Sequence, residues 1–428
     1  MNTTKKSYVL PIVMMILLFG MISFVTNLAA PMGVVLKNQF QVSNLLGMLG
    51  NLANFAAYAV MGIPAGKLLE RIGYKKTALI AVVVGFVGVG IQFFSGMAAS
   101  FTVYLLGAFV AGFSMCMLNT VVNPMLNTLG GGGNKGNQLI QVGGTFNSLM
   151  GTSVPMLVGV LIGEITKNTG ITDVNPVLFI ALGIFALVGL VLYFVEIPEP
   201  HITKQTDAVA SKYSAWSFRH FILGAIAIFV YVGVEVGIPG TMNLFLADAN
   251  AGGLDATTAG FVAGTYWFLM LIGRFAGASI GGKVSSKSML TVASAVGLVL
   301  VLLAIIMPTS TTVSIPVVQT SATGTISFGL TAVPINAMFL VLCGLCTSVM
   351  WGGIFNLAVE GLGKYVAPAS GIFMMMVCGG GILPLLQSFV ADSATYMISY
   401  IVPLLGLAYL LYYALIGSKN VNKDIPVA

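Results

Sequence analysis

Charge is what this sequence has least of. Asp, Glu, Lys and Arg make up 7% of its 428 residues, and hydrophobic residues make up 57%. Soluble domains carry about a quarter charged residues. The mean hydropathy is +1.00. A globule in water could not cover this much apolar surface, so lipid is the solvent for most of the chain. Histidine is nearly missing as well: there are two, His201 and His220, both read as lying on a central loop. The four cysteines, Cys116, Cys343, Cys346 and Cys378, all fall within predicted helices. A redox or metal site would need further ligands around the Cys343-x-x-Cys346 pair, so the cysteines read as small packing residues and no metal is expected. Gly130–Gly133, followed by Asn134-Lys135-Gly136, lacks the Gly-Lys-Ser/Thr ending of a phosphate loop and joins two apolar segments, so it reads as a flexible turn. No nucleophile–base pair stands out either. An enzyme, a bound cofactor and a nucleotide-driven motor are all disfavoured.

What the sequence has instead is apolar runs near 20 residues, long enough to cross a bilayer as helices. Twelve are predicted: Tyr8–Pro31, Leu45–Ala65, Thr77–Phe94, Phe101–Leu126, Leu139–Ile162 and Pro176–Val195, then Phe221–Phe245, Gly260–Gly281, Met289–Met307, Ala337–Phe355, Val366–Phe389 and Ile398–Ile416. Lys5 and Lys6 before an apolar run ending in Ala29-Ala30 resemble a signal peptide. The run is longer than a signal core, and it is read as the first helix. Pro308–Thr331, rich in Ser, Thr, Gly and Pro, is read as a loop outside the membrane.

Charge sets the orientation. With the N-terminus inside, Lys5, Lys6, Lys67, Arg71, Lys75, Lys76, Lys135, Lys204, Lys212, Arg219, Lys283, Lys287, Lys364, Lys419 and Lys423 fall on cytoplasmic connections. Only Lys37 and Lys167 fall outside, and Arg274 lies within a helix. This is the positive-inside pattern, with both termini cytoplasmic. The net charge of +6 is thus a topology signal, and no nucleic-acid partner is inferred.

The polar connection from Glu196 to Arg219 divides six predicted helices from six. It sets expected bundles at 1–196 and 220–428 with a cytoplasmic linker at 197–219. Faint repetition supports the division. Asn27 precedes Pro31 by four residues in helix 1, as Glu235 precedes Pro239 in helix 7. Asn123 in helix 4 and Asn356 in helix 10 stand at one spacing before Leu129-Gly130 and Leu362-Gly363, and Gly66-Lys67 matches Gly282-Lys283.

The run Gly66-Lys-Leu-Leu-Glu-Arg-Ile-Gly-Tyr-Lys-Lys76 resembles the signature loop of the major facilitator superfamily, with Glu70 in place of the usual aspartate. The resemblance implies an all-α membrane protein of 12 transmembrane helices in two pseudo-symmetric six-helix halves, with helices 1, 4, 7 and 10 lining a central cavity. Gly66, Glu70, Arg71 and Gly73 are then expected to gate the halves, with Glu70 and Arg71 in a charge network that breaks as they rock. Intramembrane polar residues are costly and tend to mark substrate paths. Glu235 is the one carboxylate placed deep within a helix, a candidate both for ion coupling and for accepting hydrogen bonds from cargo. Asn27, Asn119, Asn123, Asn147 and Asn356 offer neutral amides suited to hydroxyl groups. Trp351, with Tyr266 and Trp267, offers rings that could stack on a sugar. Arg274 is expected to serve structure, leaving a cavity poor in positive charge and unsuited to anionic cargo.

Thr26-Asn27-Leu28, Asn119-Thr-Val-Val-Asn-Pro124, Thr145-Phe-Asn-Ser148, Tyr231-Val-Gly-Val-Glu235, Gly273-Arg-Phe275 and Gly379-Gly-Gly-Ile382 resemble the fucose permease family, bacterial sugar–proton symporters. The departures from its pattern are Ala30 for an aspartate, Asn119 for a glutamate and Gly144 for a glutamine. The resemblance implies a monomeric importer of a neutral monosaccharide in the bacterial inner membrane, driven by a proton or sodium gradient. A sugar uniporter, a multidrug efflux carrier of the same fold and a non-transporting nutrient sensor are the alternatives. A sensor would be expected to carry a cytoplasmic domain larger than the short stretch after Gly417.

Overall fold

The computed structural model describes residues 8–28, 32, 35, 39, 49–162, 170–199, 213–320 and 326–427. Among the described residues twelve long helices run back and forth: α1 Val9–Asn27, α2 Leu49–Ile72, α3 Tyr74–Met97, α4 Phe101–Leu129, α5 Gly133–Ile162, α6 Asn175–Phe194, α7 Arg219–Ala247, α8 Ala256–Ile280 and α9 Ser286–Ile306, then α10 Ile335–Val359, α11 Gly363–Ser393 and α12 Tyr396–Gly417. Among the described residues, eleven of these are long and apolar enough to cross a membrane, and α5 adds a 30-residue helix whose first turns are polar. Most described limits of the expected spans hold to within about four residues, but α2 runs on to Ile72, past Ala65, and α5 begins at Gly133, ahead of Leu139; Leu45 lies outside the described residues. Pro31, Ala29, Ala30, Lys5, Lys6, Lys37, Lys167, His201, Lys204 and Lys212 lie outside the described residues, as does most of the expected linker.

Local chemistry explains several helix ends. Ser100 and Ser285 cap α4 and α9 by accepting from Val103 N and Ser288 N. Gly73, at φ +86°, makes the sharp turn from α2 into α3. The free amides that begin α3 are taken by a distant group: Glu199 accepts from Tyr74 N at 2.6 Å and Lys75 N at 3.1 Å. Gly131, Gly132 and Gly133 all have positive φ. The expected flexible turn is therefore a tight one, and Gly133 already belongs to α5. Proline sits inside α2, α4, α7 and α11, as membrane helices tolerate. α10 breaks after Thr347, and α11 passes through a 3₁₀ turn at Met376–Cys378 ahead of three consecutive glycines.

Two sequence readings are corrected. Pro308–Thr331 holds regular structure: β1 Thr312–Thr320 and β2 Ile326–Pro334 form an antiparallel hairpin, with Thr312 opposite Pro334 and Thr320 opposite Ile326. Ile315 and Val317 turn inward while Ser314 and Pro316 stay exposed, the period-2 alternation of a half-buried strand. Thr265 of α8 anchors it, its Oγ1 accepting from Val318 N at 3.0 Å. His220 lies in α7 instead of a loop, fully buried, with Nε2 2.9 Å from Glu360 O.

The twelve helices bring Lys67, Arg71, Lys75, Lys76, Lys135, Arg219, Lys283, Lys287, Lys364, Lys419 and Lys423 to one end of the bundle, the basic end. Contacts there tie the turns together: Arg219 N donates to Asn422 Oδ1, Lys364 N to Val427 O, and Lys287 Nζ to Leu415 O. Across the molecule α2 packs on α11 and α5 on α8. A shift of six helices exchanges these two pairs, as duplication requires. At α2–α11 the backbones nearly touch. A Cβ on Gly66 would lie 2.9 Å from Gly371 Cα, and one on Gly62 would lie 2.5 Å from Met375 N. Such approach needs glycine.

Candidate functional site

Tyr231 and Glu235 are one helical turn apart on α7 and so share a face. The Tyr231 hydroxyl donates to Glu235 Oε1 at 2.9 Å. Arg274 of α8 reaches the same oxygen, Nη2 to Oε1 at 3.0 Å, with each side chain 12% exposed. Among the described residues this is the one ion pair. The other guanidinium nitrogen points across the interface: Nη1 donates to Ser148 Oγ at 2.7 Å and to Gly144 O at 3.3 Å, both on α5. A planar fork can serve partners in two directions; a lysine ammonium could not hold both in this geometry. Arg274 passes beside Gly144, where a Cβ would make ordinary contact with its Cδ at 3.5 Å.

Arg274 does join helices, α8 to α7 and α5, as a structural role would have it. It stands beside the polar site as the partner of Glu235, and the site is not poor in positive charge. The signal was present in the sequence, because Arg274 is the single basic residue inside a predicted helix. Helix number and spacing did not reveal that α7 and α8 would turn the two charges toward each other.

From Tyr231 the chain of contacts continues. Its ring meets Trp351 of α10 edge-on at 6.3 Å, and Trp351 meets Phe373 of α11 at 6.1 Å. Trp351 Nε1 donates to Asn123 Oδ1 of α4 at 2.9 Å. Asn123 Nδ2 donates to Asn119 O at 2.9 Å, and Asn119 Nδ2 to the Tyr58 hydroxyl of α2 at 2.7 Å. A band of polar contacts thus runs from α5 through α8, α7, α10 and α4 to α2, crossing between the first and last six helices twice. Of the residues expected from sequence, Asn119, Asn123, Glu235 and Trp351 belong to it.

The others are placed elsewhere. Asn27 is half-buried and turns back on its own helix, donating to Ser23 O and Oγ. Asn147 ties α5 to α1 through Phe19 O at 2.9 Å. Asn356 lies toward the basic end, donating to Ser286 Oγ at 2.9 Å and accepting from Asn127 Nδ2 at 2.6 Å. Tyr266 is buried with its hydroxyl 2.9 Å from Thr347 Oγ1, while Trp267 is 41% exposed on the outside of the bundle. Gly66 sits at the α2–α11 approach and Gly73 at the following turn. Glu70 and Arg71 are exposed and, among the described residues, neither has an ion-pair partner. Among the described residues the expected charge network is not formed.

What closes the basic end is neutral. Asn127 meets Asn356, Gln138 Nε2 donates to Ala278 O at 3.0 Å, and Gln141 Nε2 donates to Val349 O at 2.9 Å. Each bond joins α4 or α5 to α8 or α10. Asn127, Gln138 and Gln141 were not singled out from sequence, because amides near helix ends carry no distinguishing pattern there. Among the described residues no three His, Cys, Asp or Glu converge on a metal position.

Comparison with known proteins agrees with this architecture. The Major Facilitator Superfamily model matches residues 12–385. A glucose/galactose transporter of Brucella abortus is 32% identical over 430 residues, covering 98% of this chain and 97% of that protein. A putative glucose/galactose transporter of Helicobacter pylori is 29% identical, with 97% and 98% covered. The crystal structure of the E. coli fucose:proton symporter superposes with a TM-score of 0.81 at 20% identity, over 97% of this chain and all of that one. From the family match and the end-to-end relative, the chain belongs to the Major Facilitator Superfamily and is a multi-pass membrane transport protein.

Proposed function

We propose that this protein imports a neutral hexose or deoxyhexose across the bacterial inner membrane by alternating access, driven by a cation gradient. The observation that carries the reading is the Glu235–Arg274 pair within the polar band. The pair neutralises itself, so no unpaired cation is left for an anionic cargo, which would need one. What remains for a ligand is neutral: the amides of Asn119 and Asn123, the Trp351 ring and the Tyr231 ring. That chemistry suits a polyhydroxylated ring with an apolar face. The names borne by the Brucella and Helicobacter relatives support the same cargo class.

The positive-inside rule assigns the basic end to the cytoplasm. With that end sealed by the α2–α11 approach and the amide bonds, the state described is closed to the cytoplasm. In this scheme the halves, 1–196 and 220–428 about the linker at 197–219, rock around the polar band. Gly66 and Gly73 permit the close approach, and Glu70 and Arg71 find partners in the other state. Arg274 links the coupling carboxylate to closure, because one guanidinium holds both Glu235 and the α5 segment. A proton arriving on Glu235 removes the charge that orients Arg274 and so weakens its grip on Ser148. Asn27 and Asn147 complete the sugar site when α1 and α5 shift. The protein acts as a monomer.

The test is uptake of labelled glucose, galactose, fucose and mannose into proteoliposomes, with Glu235→Gln as the comparison. Accumulation of one sugar above equilibrium, lost in Glu235→Gln while exchange persists, is expected. Unchanged accumulation in the variant would remove Glu235 from coupling.

A further inference from the structure

The hairpin between α9 and α10 takes no part in the polar band or in the closure of the basic end. Its depth follows from its neighbours. Gly344 of α10 packs against the Tyr266 carbonyl of α8, so these two residues are level in the parallel helix pair. Ile335, where α10 begins, is then about 13 Å nearer the end opposite the basic one. Its N–H donates to Thr311 O at the base of the hairpin at 2.8 Å. Val318 N, 3.0 Å from Thr265 Oγ1, is back at the level of Tyr266. The hairpin therefore descends along the flank of α8. That helix has 25 residues and is about 37 Å long. Centred on a hydrocarbon core of ~30 Å, it carries Thr265 about 10 Å below the near boundary.

This flank of α8 faces away from the ion pair, because Thr265 and Arg274 stand about two and a half turns apart. Thr265, Phe268, Ile272 and Phe275 recur there at helical spacing on one face. Ile272 and Phe275 are 44% and 65% exposed. The upper two meet the hairpin, Phe268 by an edge-on contact with the Phe328 ring at 5.6 Å. The uncovered face of the hairpin continues this apolar stripe. Phe328 and Leu330 are 63% and 79% exposed, and their cross-strand partners are Val318 and Pro316. From Lys287 to Glu360 the intervening chain holds no charged residue and no histidine, unlike a loop made for water. The edge of β1 is also poor in free donors. Val318 N is held by Thr265, and Pro316, two residues away on the same edge, has no N–H. Unpaired strand edges are excluded from hydrocarbon, and this edge avoids that cost.

We propose that the hairpin is a membrane-lying element, with Pro316, Phe328 and Leu330 set into the lipid of the leaflet opposite the basic end. Apolar faces lying in an interface reach about 5–10 Å into the headgroup–acyl boundary, the depth at which Thr265 holds Val318. The occupant is the acyl region of the lipid, whatever its headgroup, since no charge on the hairpin selects one. The inference stands apart from the cargo reading.

The experiment uses the full chain with Cys378→Ala, which leaves only buried native cysteines. A nitroxide is attached in turn at Phe328→Cys, Leu330→Cys, Phe275→Cys and Ala251→Cys, the last on the exposed turn between α7 and α8. In phosphatidylcholine vesicles, collision with oxygen, which enters acyl chains, is compared with collision with a neutral nickel chelate, which stays in water. The oxygen-to-nickel ratio at 328 and 330 is expected to match that at 275 and to exceed that at 251 several-fold. Ratios at 328 and 330 equal to that at 251 would overturn the proposal by placing the face in water. Exclusion of both reagents would overturn it too, by covering the face with protein, and dipolar broadening between labels would identify a second copy. The unaltered chain gives an independent reading. Phosphatidylcholine with a photoactivatable acyl chain is expected to label the Pro316–Leu330 segment, and a segment left unlabelled while α8 is labelled would refute the proposal whether or not the variants fold.

Discussion

Removing either member of the Glu235–Arg274 pair should destabilise the protein far more than removing both. Unit charges 3.0 Å apart in an effective dielectric of about 20 attract by about 5 kcal/mol. The desolvation already incurred is not returned when only one partner is deleted, because the other charge stays buried. Arg274→Gln leaves Glu235 with the Tyr231 hydroxyl alone; Glu235→Gln leaves Arg274 with Ser148 and Gly144. Each single variant is expected to lose about 3–5 kcal/mol. The double variant should lose less than either single one, so the coupling energy should exceed the cost of one single variant, about 3–5 kcal/mol. Reversible unfolding in mixed micelles, followed by far-UV circular dichroism across the four proteins, measures it. Additivity within about 0.5 kcal/mol would mean that the two side chains do not act as a pair, and the placement of Arg274 in the site would fall with it.

Further expectations concern the seam. Gly66→Val pushes a side chain into Gly371 and overpacks the α2–α11 approach by about 1–3 kcal/mol, so uptake should fall about five-fold or more; Gly90→Ala, where nothing lies within 4 Å, should leave uptake intact. Asn127→Ala removes a bond to Asn356 worth about 1 kcal/mol, and spin-label distances between the α4–α5 and α8–α9 turns should shift toward a state open at the basic end. Trp351→Phe keeps the ring contacts with Tyr231 and Phe373 but drops the bond to Asn123. It should weaken sugar affinity by about five-fold with little change in melting temperature, as read by ligand titration.

The architecture was legible because a membrane-spanning helix announces itself by composition alone, and basic residues mark which turns share an end. Where the sequence misled, chemistry of another scale decided. The hairpin at Thr312–Pro334 hid behind Ser, Thr, Gly and Pro, although Val313, Ile315 and Val317 alternate as a strand should. His220 read as a loop residue because its polarity suggested water, yet Glu360 O satisfies it inside the bundle. The site was half legible. Glu235, Asn119, Asn123 and Trp351 stand out as polar or aromatic groups on cavity helices. Arg274 was visible too, but its partner depends on how α8 is rotated against α7, which no linear pattern fixes. Asn356 shows the converse, since its repeat match with Asn123 pointed to the cavity while its contacts lie at the basic end.

The most direct measurement of the central claim is labelled-sugar uptake by proteoliposomes containing the purified chain, with inward proton or sodium gradients applied in turn. Gradient-driven, saturable accumulation of a single neutral hexose or deoxyhexose is the predicted result. No uptake of any sugar under either gradient, from protein shown to be folded by its melting transition, would contradict it.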